Sequence, residues 1–207
     1  MEPDLPALIA RARRLAAVGG RRVLGITGPP AAGKSTLAAR VVEGLGADLA
    51  RLVGMDAFHY AQVELARLGR SDRKGAPDTF DADGFVVLLE RLRSSDDPIV
   101  YAPEFRREIE EPIACAVPVP RDVPLVVTEG NYLLVDAAPW ARVRPLLDEA
   151  WYIEPGDEPA RVARLIDRHV AFGRSAEAAR EWVMRSDERN ARLIAGTAGR
   201  ADLVVRW

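Results

Sequence analysis

The feature that most constrains this chain is the octet at residues 28–35, which is Gly-Pro-Pro-Ala-Ala-Gly-Lys-Ser. It fits the pattern G-x-x-x-x-G-K-[ST], in which main-chain N–H groups turn inward around phosphate oxygens. A short apolar run at 23–27 precedes the octet, and a helical pattern at about 34–45 follows it. The start of that helix directs its positive dipole end at a bound anion. The sequence therefore predicts a strand, a phosphate-binding loop and a helix in succession.

The residue types in the octet have separate physical roles. Gly28 and Gly33 allow backbone conformations that residues with a side chain rarely adopt. Lys34 brings a point charge to the outer phosphates, and the Ser35 hydroxyl suits a magnesium ion. Lys34 is one of only two lysines among 29 basic residues, which argues against a coincidental match. We assign nucleotide binding to Gly28, Pro29, Pro30, Ala31, Ala32, Gly33, Lys34, Ser35 and Thr36.

Short apolar runs alternate with helical stripes along the chain. Strands are expected at 23–27, 49–55, 99–101, 125–128, 151–153 and 203–205, and helices at 5–18, 34–45, 84–94, 139–148, 158–172 and 175–195. This alternation predicts an α/β fold of the P-loop nucleotide-binding type, a parallel sheet of about five strands with helices on both faces. We expect one domain over 1–207, with a proline-rich, irregular excursion or hairpin at about 101–123. Ligands bind beyond the carboxyl ends of the strands in such sheets.

Composition and charge narrow the classes of function. The 207 residues carry a formal net charge of -2, whereas a dedicated nucleic-acid-binding protein usually carries a basic excess. The single cysteine, Cys115, excludes a disulfide framework within the chain. No stretch approaches the ~18–20 apolar residues of a membrane span, and the acidic N-terminus does not suit a signal peptide. We expect a cytoplasmic protein that binds neither nucleic acid nor membrane; a homodimer is considered, although no sequence feature requires one.

The chemistry at the loop is either hydrolysis or transfer of a phosphoryl group. A switch GTPase reads guanine with an Asn-Lys-x-Asp stretch, and no lysine follows position 74 here. The short chain and balanced charge favour a small-molecule kinase that uses ATP and Mg²⁺, with ATP against GTP left open. The alternative is a nucleotide-dependent regulatory ATPase, or switch, whose output is the conformation of a protein partner.

Four further segments resemble the family of uridine kinases, phosphoribulokinases and pantothenate kinases. Residues 54–59 are similar to its Asp-x-Phe-Tyr segment, and 127–130 to its strand-end Glu-Gly. Residues 73–81 begin like the Arg-Lys-Gly of bacterial pantothenate kinases and end like the Pro-Asp-Ala-Phe-Asp of uridine kinases. The arginines of 161–174 have the spacing of the uridine kinase lid helix. The resemblance covers about residues 23–175. Within the family it is nearest to a bacterial branch of nucleoside- and sugar-kinase-like proteins that is associated with fructose transport. It implies phosphorylation of a hydroxyl on a nucleoside, a sugar or a pantothenate-like alcohol.

Position and resemblance together indicate roles for two carboxylates. Asp56 lies at the carboxyl end of a strand, where a carboxylate can aim an attacking hydroxyl and accept its proton. The alternatives for Asp56 are a helix cap or an indirect anchor for magnesium. Glu129 ends an apolar strand, where a charge is costly unless it meets magnesium or a substrate hydroxyl. Its alternative is an ion pair with a nearby arginine. We assign metal binding to Ser35 and Glu129.

A lid at about 161–180 follows from the resemblance. Arg161, Arg164 and Arg168 are spaced to share one helix face, and guanidinium groups suit the spread charge of a transferring phosphoryl group. The alternative is a solvated charged face. The resemblance makes Arg168 catalytic together with Asp56 and Lys34, and makes Arg164 and Arg174 nucleotide-binding.

The acceptor pocket is where the chain departs from uridine kinases. Contacts to the acceptor are expected from Asp56, Asp78, Tyr101, Arg106 and Glu129. Asp78 matches the uridine kinase position that holds sugar hydroxyls; its alternative is a turn residue after Pro77. Tyr101 is kept after the third strand, but Ala102 stands where uridine kinases have aspartate, and Arg106 where they have histidine. These replacements argue against uridine and, with Arg107, indicate an acceptor that has an anionic or hydroxyl-rich part.

Overall fold

A parallel β-sheet organises the part of the chain that the structure describes, residues 4–94 and 96–206 of a computed structural model. The strands are β1 (Arg22–Thr27), β2 (Ala50–Gly54), β3 (Ile99–Arg106), β4 (Glu111–Pro120), β5 (Leu125–Glu129), β6 (Glu149–Glu154) and β7 (Leu203–Arg206). The helices are α1 (Leu5–Ala16), α2 (Lys34–Leu45), α3 (Gln62–Arg67), α4 (Ala82–Ser94), α5 (Glu158–Ala171), α6 (Ala176–Trp182) and α7 (Glu188–Ala195). A π-helical turn, Val183–Asp187, joins α6 to α7, so the helix expected at 175–195 is interrupted.

The central sheet has five parallel strands in the order β2-β5-β1-β6-β7. Strand β5 is fully buried and β1 nearly so, which explains why both appear in the sequence as continuous apolar runs. The register places Glu129 beside Ile26 on one side and Gly54 on the other. The carboxyl ends of β1, β2 and β5 therefore meet at one edge of the sheet. The predicted fold class is confirmed.

Alternate residues of the central strands face two separate cores. Leu24 of β1 packs on the side of α1 and α2, together with Leu37 and Trp151. Val23 packs on the other side with Phe85 of α4. The period of two along β1 thus buries both faces of the sheet under other elements, as a parallel sheet requires.

The predicted third strand does not belong to the central sheet. Strands β3 and β4 form a separate antiparallel hairpin, with a register shift between Ala102 and Glu104. Of the two forms expected for residues 101–123, an irregular excursion or a hairpin, the chain adopts the hairpin. Pro118 and Pro120 are accommodated because both strands are edge strands, on which a missing N–H need not break a ladder.

The helix predicted at 139–148 is also absent. The chain forms two 3₁₀ turns instead, Trp140–Arg142 and Arg144–Leu146. Pro145 explains the difference, because it lies in the interior of the predicted helix, where it lacks a main-chain donor and its ring clashes with the preceding turn. The apolar spacing that suggested a helix still buries its residues in the core.

The described residues include no helix with the length and apolar character needed to cross a bilayer.

Candidate active site

A cavity of about 610 Å³ opens at the sheet edge where β1, β2 and β5 end. One half is formed by the phosphate-binding loop, the start of α2 and the lid helix α5. The other half is formed by the segment after β2 and by the turn of the β3–β4 hairpin. Its lining includes Pro30, Ala31, Gly33, Lys34, Ser35, Thr36, Asp56, His59, Lys74, Phe105, Arg107, Glu110, Glu129, Arg164, Arg168, His169, Phe172, Arg174, Trp182 and Asp187.

The phosphate-binding loop depends on its glycines. Gly33 has φ 93° and lies immediately before Lys34, the first residue of α2. Gly28 has φ 154°, and a Cβ there would lie 2.8 Å from the main-chain oxygen of Ile153. Both positions thus favour glycine, Gly33 for its positive φ and Gly28 for close packing against β6. The loop geometry predicted from the octet is present.

Lys34 is almost completely buried beneath the loop. Its Nζ donates to the main-chain oxygen of Pro29 at 3.0 Å. Burial lowers the pKa of Lys34 to about 8, although the charges of Glu129 and Asp56 oppose this shift. A buried ammonium with a single short contact has donors available for phosphate oxygens.

Ser35 and Glu129 form a pair of oxygen donors at the floor of the cavity. The Ser35 hydroxyl donates to Oε1 of Glu129 at 3.1 Å. Burial, and then the neighbouring charge of Asp56, raise the pKa of Glu129 to about 7. Both are hard oxygen ligands of the kind that Mg²⁺ prefers, so the residues present fit this metal. Within residues 4–94 and 96–206 no group of three or more His, Cys, Asp or Glu could hold an ion alone. The remaining ligands of a magnesium ion would be phosphate oxygens and water.

Asp56 lies in a short 3₁₀ turn, Met55–Phe58, that directly follows β2. Its Oδ2 accepts a hydrogen bond from Nη2 of Arg107 at 3.0 Å. Burial alone would raise the pKa of Asp56, but His59, Arg107 and Lys34 together hold it below its usual value. Asp56 is therefore an ionised carboxylate that faces the phosphate-binding half of the cavity.

Helix α5 and the turn after it bring three predicted arginines to the cavity. Arg168 lines it, and burial, with repulsion from Arg107, lowers its pKa. Arg164 donates to the main-chain oxygen of Ala31 in the phosphate-binding loop at 3.3 Å. The Arg174 guanidinium lies 3.8 Å from the ring centre of Trp182.

Arg161 has a different role from the arginines that share its helix. It is buried and is not among the residues that line the cavity. It donates to the main-chain oxygen of Pro30 at 3.2 Å and pairs with Glu158 and Glu188. Arg161 therefore attaches α5 to the phosphate-binding loop.

Three residues predicted to contact the acceptor lie outside the cavity lining. Asp78 is half exposed and accepts hydrogen bonds from Arg73 at 2.8–3.3 Å. Tyr101 is exposed on β3, and Arg106 is exposed and pairs with Glu104 at 2.7 Å. The structure places none of the three in the cavity lining that contains Asp56, and their contact with an acceptor stays a prediction. Strand β3 ends at Arg106. The following residue, Arg107, lines the cavity instead.

Several cavity residues had little or no signal in the sequence. Phe105, Glu110 and Trp182 line the cavity through the hairpin and the lid, and no motif includes them. Lys74 lies within the segment that resembles pantothenate kinases. Arg107 was considered only together with Arg106, and the match to the uridine kinase histidine favoured Arg106.

A phosphate-binding loop after β1, a carboxylate after β2 and a basic helix over the same cavity define a P-loop nucleotide-dependent phosphotransferase. Residues 23–207 match the Phosphoribulokinase / Uridine kinase family, and the chain belongs to this family. The resemblance predicted from four short segments is thereby confirmed. Because the family is one of kinases, the match favours a kinase over a regulatory switch.

Relatives and solved structures agree with this assignment. A protein named as a candidate uridine kinase of Schizosaccharomyces pombe is 33% identical over 196 residues, which is 90% of this chain and 83% of the relative. The crystal structure of a candidate fructose transport system kinase from Silicibacter sp. has a TM-score of 0.86 at 33% identity, over 98% of both chains. Pantothenate kinase of Limosilactobacillus reuteri is 31% identical over 118 residues, 55% of this chain and 36% of that enzyme.

Proposed function

We propose that this kinase transfers the γ-phosphoryl group of ATP, with Mg²⁺, to a hydroxyl of a small metabolite. The observation that carries the proposal is the position of Asp56, whose ionised carboxylate shares one cavity with Lys34 and the Ser35–Glu129 pair. Bound Mg–ATP supplies the phosphoryl group and neutralises part of its charge. The protein's task is then to place a hydroxyl in line and to accept its proton.

Asp56 is the proposed base. A hydroxyl that donates a hydrogen bond to its carboxylate is held on the side of the cavity opposite the phosphate-binding loop. Lys34 and Arg168 stabilise the charge on the transferred group, and Arg164 and Arg174 hold the nucleotide. Ser35 and Glu129 are the proposed metal ligands. We also propose that the Glu129 carboxylate contacts the acceptor substrate.

The lid at about 161–180 supports the same reaction. Gly173 has φ 95° directly after α5, a conformation that suits a hinge. Closing of α5 over the nucleotide would exclude water and limit wasteful hydrolysis. Four expectations from the sequence stay predictions. They are the single-domain organisation, the homodimer, the cytoplasmic location, and acceptor contacts from Asp78, Tyr101 and Arg106.

The acceptor belongs to one of three classes, a nucleoside, a sugar or a pantothenate-like alcohol. The family includes kinases named for each kind of alcohol, so membership alone does not choose between them. The residues around Asp56 therefore decide the acceptor, and their chemistry is taken up below.

The test is the substitution Asp56→Asn, which keeps the side-chain shape and removes the base. We expect turnover to fall roughly 10²–10⁴-fold, the usual contribution of a general base, while affinity for ATP changes little. Turnover is followed as ADP release with a panel of nucleosides, sugars and vitamins. Asp72→Asn makes the same chemical change at an exposed site outside the cavity and serves as the control. Unaltered turnover in Asp56→Asn would remove this residue from the reaction, and calorimetry that detects no nucleotide binding would refute the kinase.

A further inference from the structure

Arg107 is placed to contact both the proposed base and an acceptor. It follows β3 at the turn of the hairpin, and its Nη2 donates to Oδ2 of Asp56 at 3.0 Å. Its side chain is 41% exposed, whereas that of Asp56 is 26% exposed, so the guanidinium retains an open side toward the cavity. A guanidinium has five N–H donors, and this ion pair uses only some of them.

A second cation lies against the same aromatic ring. The Arg107 guanidinium is 5.8 Å from the ring centre of Phe105, and Lys74 Nζ is 5.3 Å from it. Lys74 is only 14% exposed; its Nζ donates to the main-chain oxygen of Glu110 at 2.6 Å and lies 3.5 Å from the Glu110 carboxylate. Lys74 is thus partly neutralised, while Arg107 has Asp56 as its anionic partner.

The loop that carries Lys74 is fixed to the body of the protein. The main-chain oxygen of Gly75 accepts hydrogen bonds from Tyr132 Oη at 2.5 Å and from Asn190 Nδ2 at 3.3 Å. Asn190 is buried, so this anchor lies inside the fold. Lys74, Phe105 and Arg107 therefore form a preorganised acceptor-side wall with two positive charges, and we call these three residues the acceptor wall.

The ion pair with Arg107 makes Asp56 less able to accept the hydroxyl proton. A carboxylate that is paired with a guanidinium is a weaker base, and one of its oxygens is occupied. An anionic group on the acceptor would compete with Asp56 for Arg107 and so release the carboxylate to accept the hydroxyl proton. A neutral acceptor offers no replacement partner and leaves the pair in place.

We propose that the acceptor carries an anionic group, a carboxylate or a phosphate, which Arg107 binds with support from Lys74 and which frees Asp56 as it binds. This inference rests on the proposed kinase function and names its substrate class. Arg107 is then a specificity-determining residue that links acceptor binding to the strength of the base. The reaction is unchanged in balance: the acceptor oxygen gains the phosphoryl group, ADP leaves, and the hydroxyl proton goes to Asp56.

The test compares acceptors that share a carbon skeleton and differ in whether they carry a carboxylate, a phosphate or no anionic group. Two series are suitable: ribose, ribonate and ribose 5-phosphate, and glycerol, glycerate and glycerol 3-phosphate. ADP release with Mg–ATP is measured for the wild-type chain, for Arg107→Gln, and for Arg67→Gln, an exposed arginine on α3 outside the cavity. We expect release to depend on an anionic member, and kcat/KM for that member to fall roughly 30–100-fold in Arg107→Gln, the loss typical of one charged hydrogen-bonded partner.

ADP release with the neutral members separates the proposed role of Arg107 from a purely structural one. In Arg107→Gln their slow release should be unchanged or faster, because Asp56 is no longer paired. Preference for the ribonate and glycerate arm, or for the phosphate arm, identifies the anion. Two results together would overturn the anionic acceptor and leave the kinase proposal intact. ADP release would be rapid with neutral acceptors, and Arg107→Gln would either leave release unaffected or reduce it equally for neutral and anionic members. Release that no acceptor increases in either series, although calorimetry detects nucleotide binding, would count against both proposals.

Discussion

At the scale of single residues, the cavity contains charges that the fold alone does not favour. Lys34 and Glu129 are both buried, and burial is the main cause that lowers the pKa of the lysine and raises that of the glutamate. Their charged forms would be balanced by phosphate and metal, which the proposed reaction brings to this place. The site is thus organised for its ligands at some expense to the stability of the protein without them.

Glu129 should make the stability of the ligand-free protein depend on pH. Its pKa in the folded chain, about 7, lies above the ordinary glutamate pKa of 4.5, so folding favours the protonated carboxyl. The resulting stabilisation is complete below about pH 4.5 and is lost as the pH rises through about 7. We expect Glu129→Gln, which cannot ionise, to exceed the wild type in free energy of unfolding by about 2–3 kcal/mol at pH 8, and to lose kinase activity.

Urea unfolding at pH 5 and pH 8, without nucleotide or metal, measures this effect. Glu154→Gln provides the control, because that carboxylate is half exposed and pairs with Arg206 at 2.7 Å. Its pH dependence should match the wild type. An equal change in stability between pH 5 and pH 8 in Glu129→Gln and in the wild type would contradict the prediction.

The sequence predicted residues whose positions follow from local rules. The octet determines where Lys34 lies, and a carboxylate directly after an apolar strand, such as Asp56, must lie at the ligand-binding edge. It favoured Arg106 over Arg107, whereas the cavity is lined by Arg107. That choice depends on where the strand ends and the hairpin turn begins, and consecutive residues there point in different directions.

At the scale of elements, one buried arginine links the lid helix to the nucleotide site. Arg161 is 1% exposed and connects the Pro30 carbonyl of the phosphate-binding loop with Glu158 of α5 and Glu188 of α7. Its neighbour one turn along, Arg164, is exposed and makes a single contact to the loop. The spacing predicted a common face for these arginines, but burial gives them different functions.

Arg161→Met should destabilise the protein strongly. The change leaves Glu188 without its buried partner, and removal of one member of such a pair typically costs 3–5 kcal/mol. Because Glu158 is largely exposed, we expect the lower end, about 3 kcal/mol, in urea unfolding. Arg164→Met should change the unfolding free energy by less than about 0.5 kcal/mol, as is usual for an exposed side chain. Equal stability of the two variants would show that Arg161 is not the link between α5 and the loop.

Elements with a clear apolar period were predicted well, and the failures have local causes. The runs that became β1 and β5 are buried on both sides, so their composition alone identifies them. The segment at 139–148 has helical spacing, but Pro145 in its interior overrides that spacing. The two 3₁₀ turns still bury Trp140 and Val143 in the core, as a helix would have done.

At the scale of the whole molecule, the position of the hairpin was the least predictable feature. Strands β3 and β4 pair only with each other in the described chain, and their place over the cavity is set by contacts far apart in sequence. One such contact is Arg21, a buried side chain before β1. Its guanidinium donates to the main-chain oxygens of Val123 at 3.0 Å, Leu92 at 3.1 Å and Pro120. These join the base of the hairpin and the end of α4 to the central sheet.

Arg21→Met should therefore loosen the hairpin as well as lower stability. The change removes the Arg21 donor from three main-chain oxygens, and a hydrogen bond to a charged group contributes about 1.5–3 kcal/mol. We expect a loss of roughly 2–4 kcal/mol in urea unfolding, with faster hydrogen exchange in β3 and β4 than in β1 and β5. Because the hairpin carries Phe105 and Arg107, the KM of the acceptor should rise while that of ATP changes less. Arg192→Gln, an exposed arginine on α7, is the control and should leave exchange across the hairpin unaltered. Exchange that accelerates uniformly through the central sheet and the hairpin would mean that Arg21 supports global stability alone, and that the acceptor wall is held in place by other contacts.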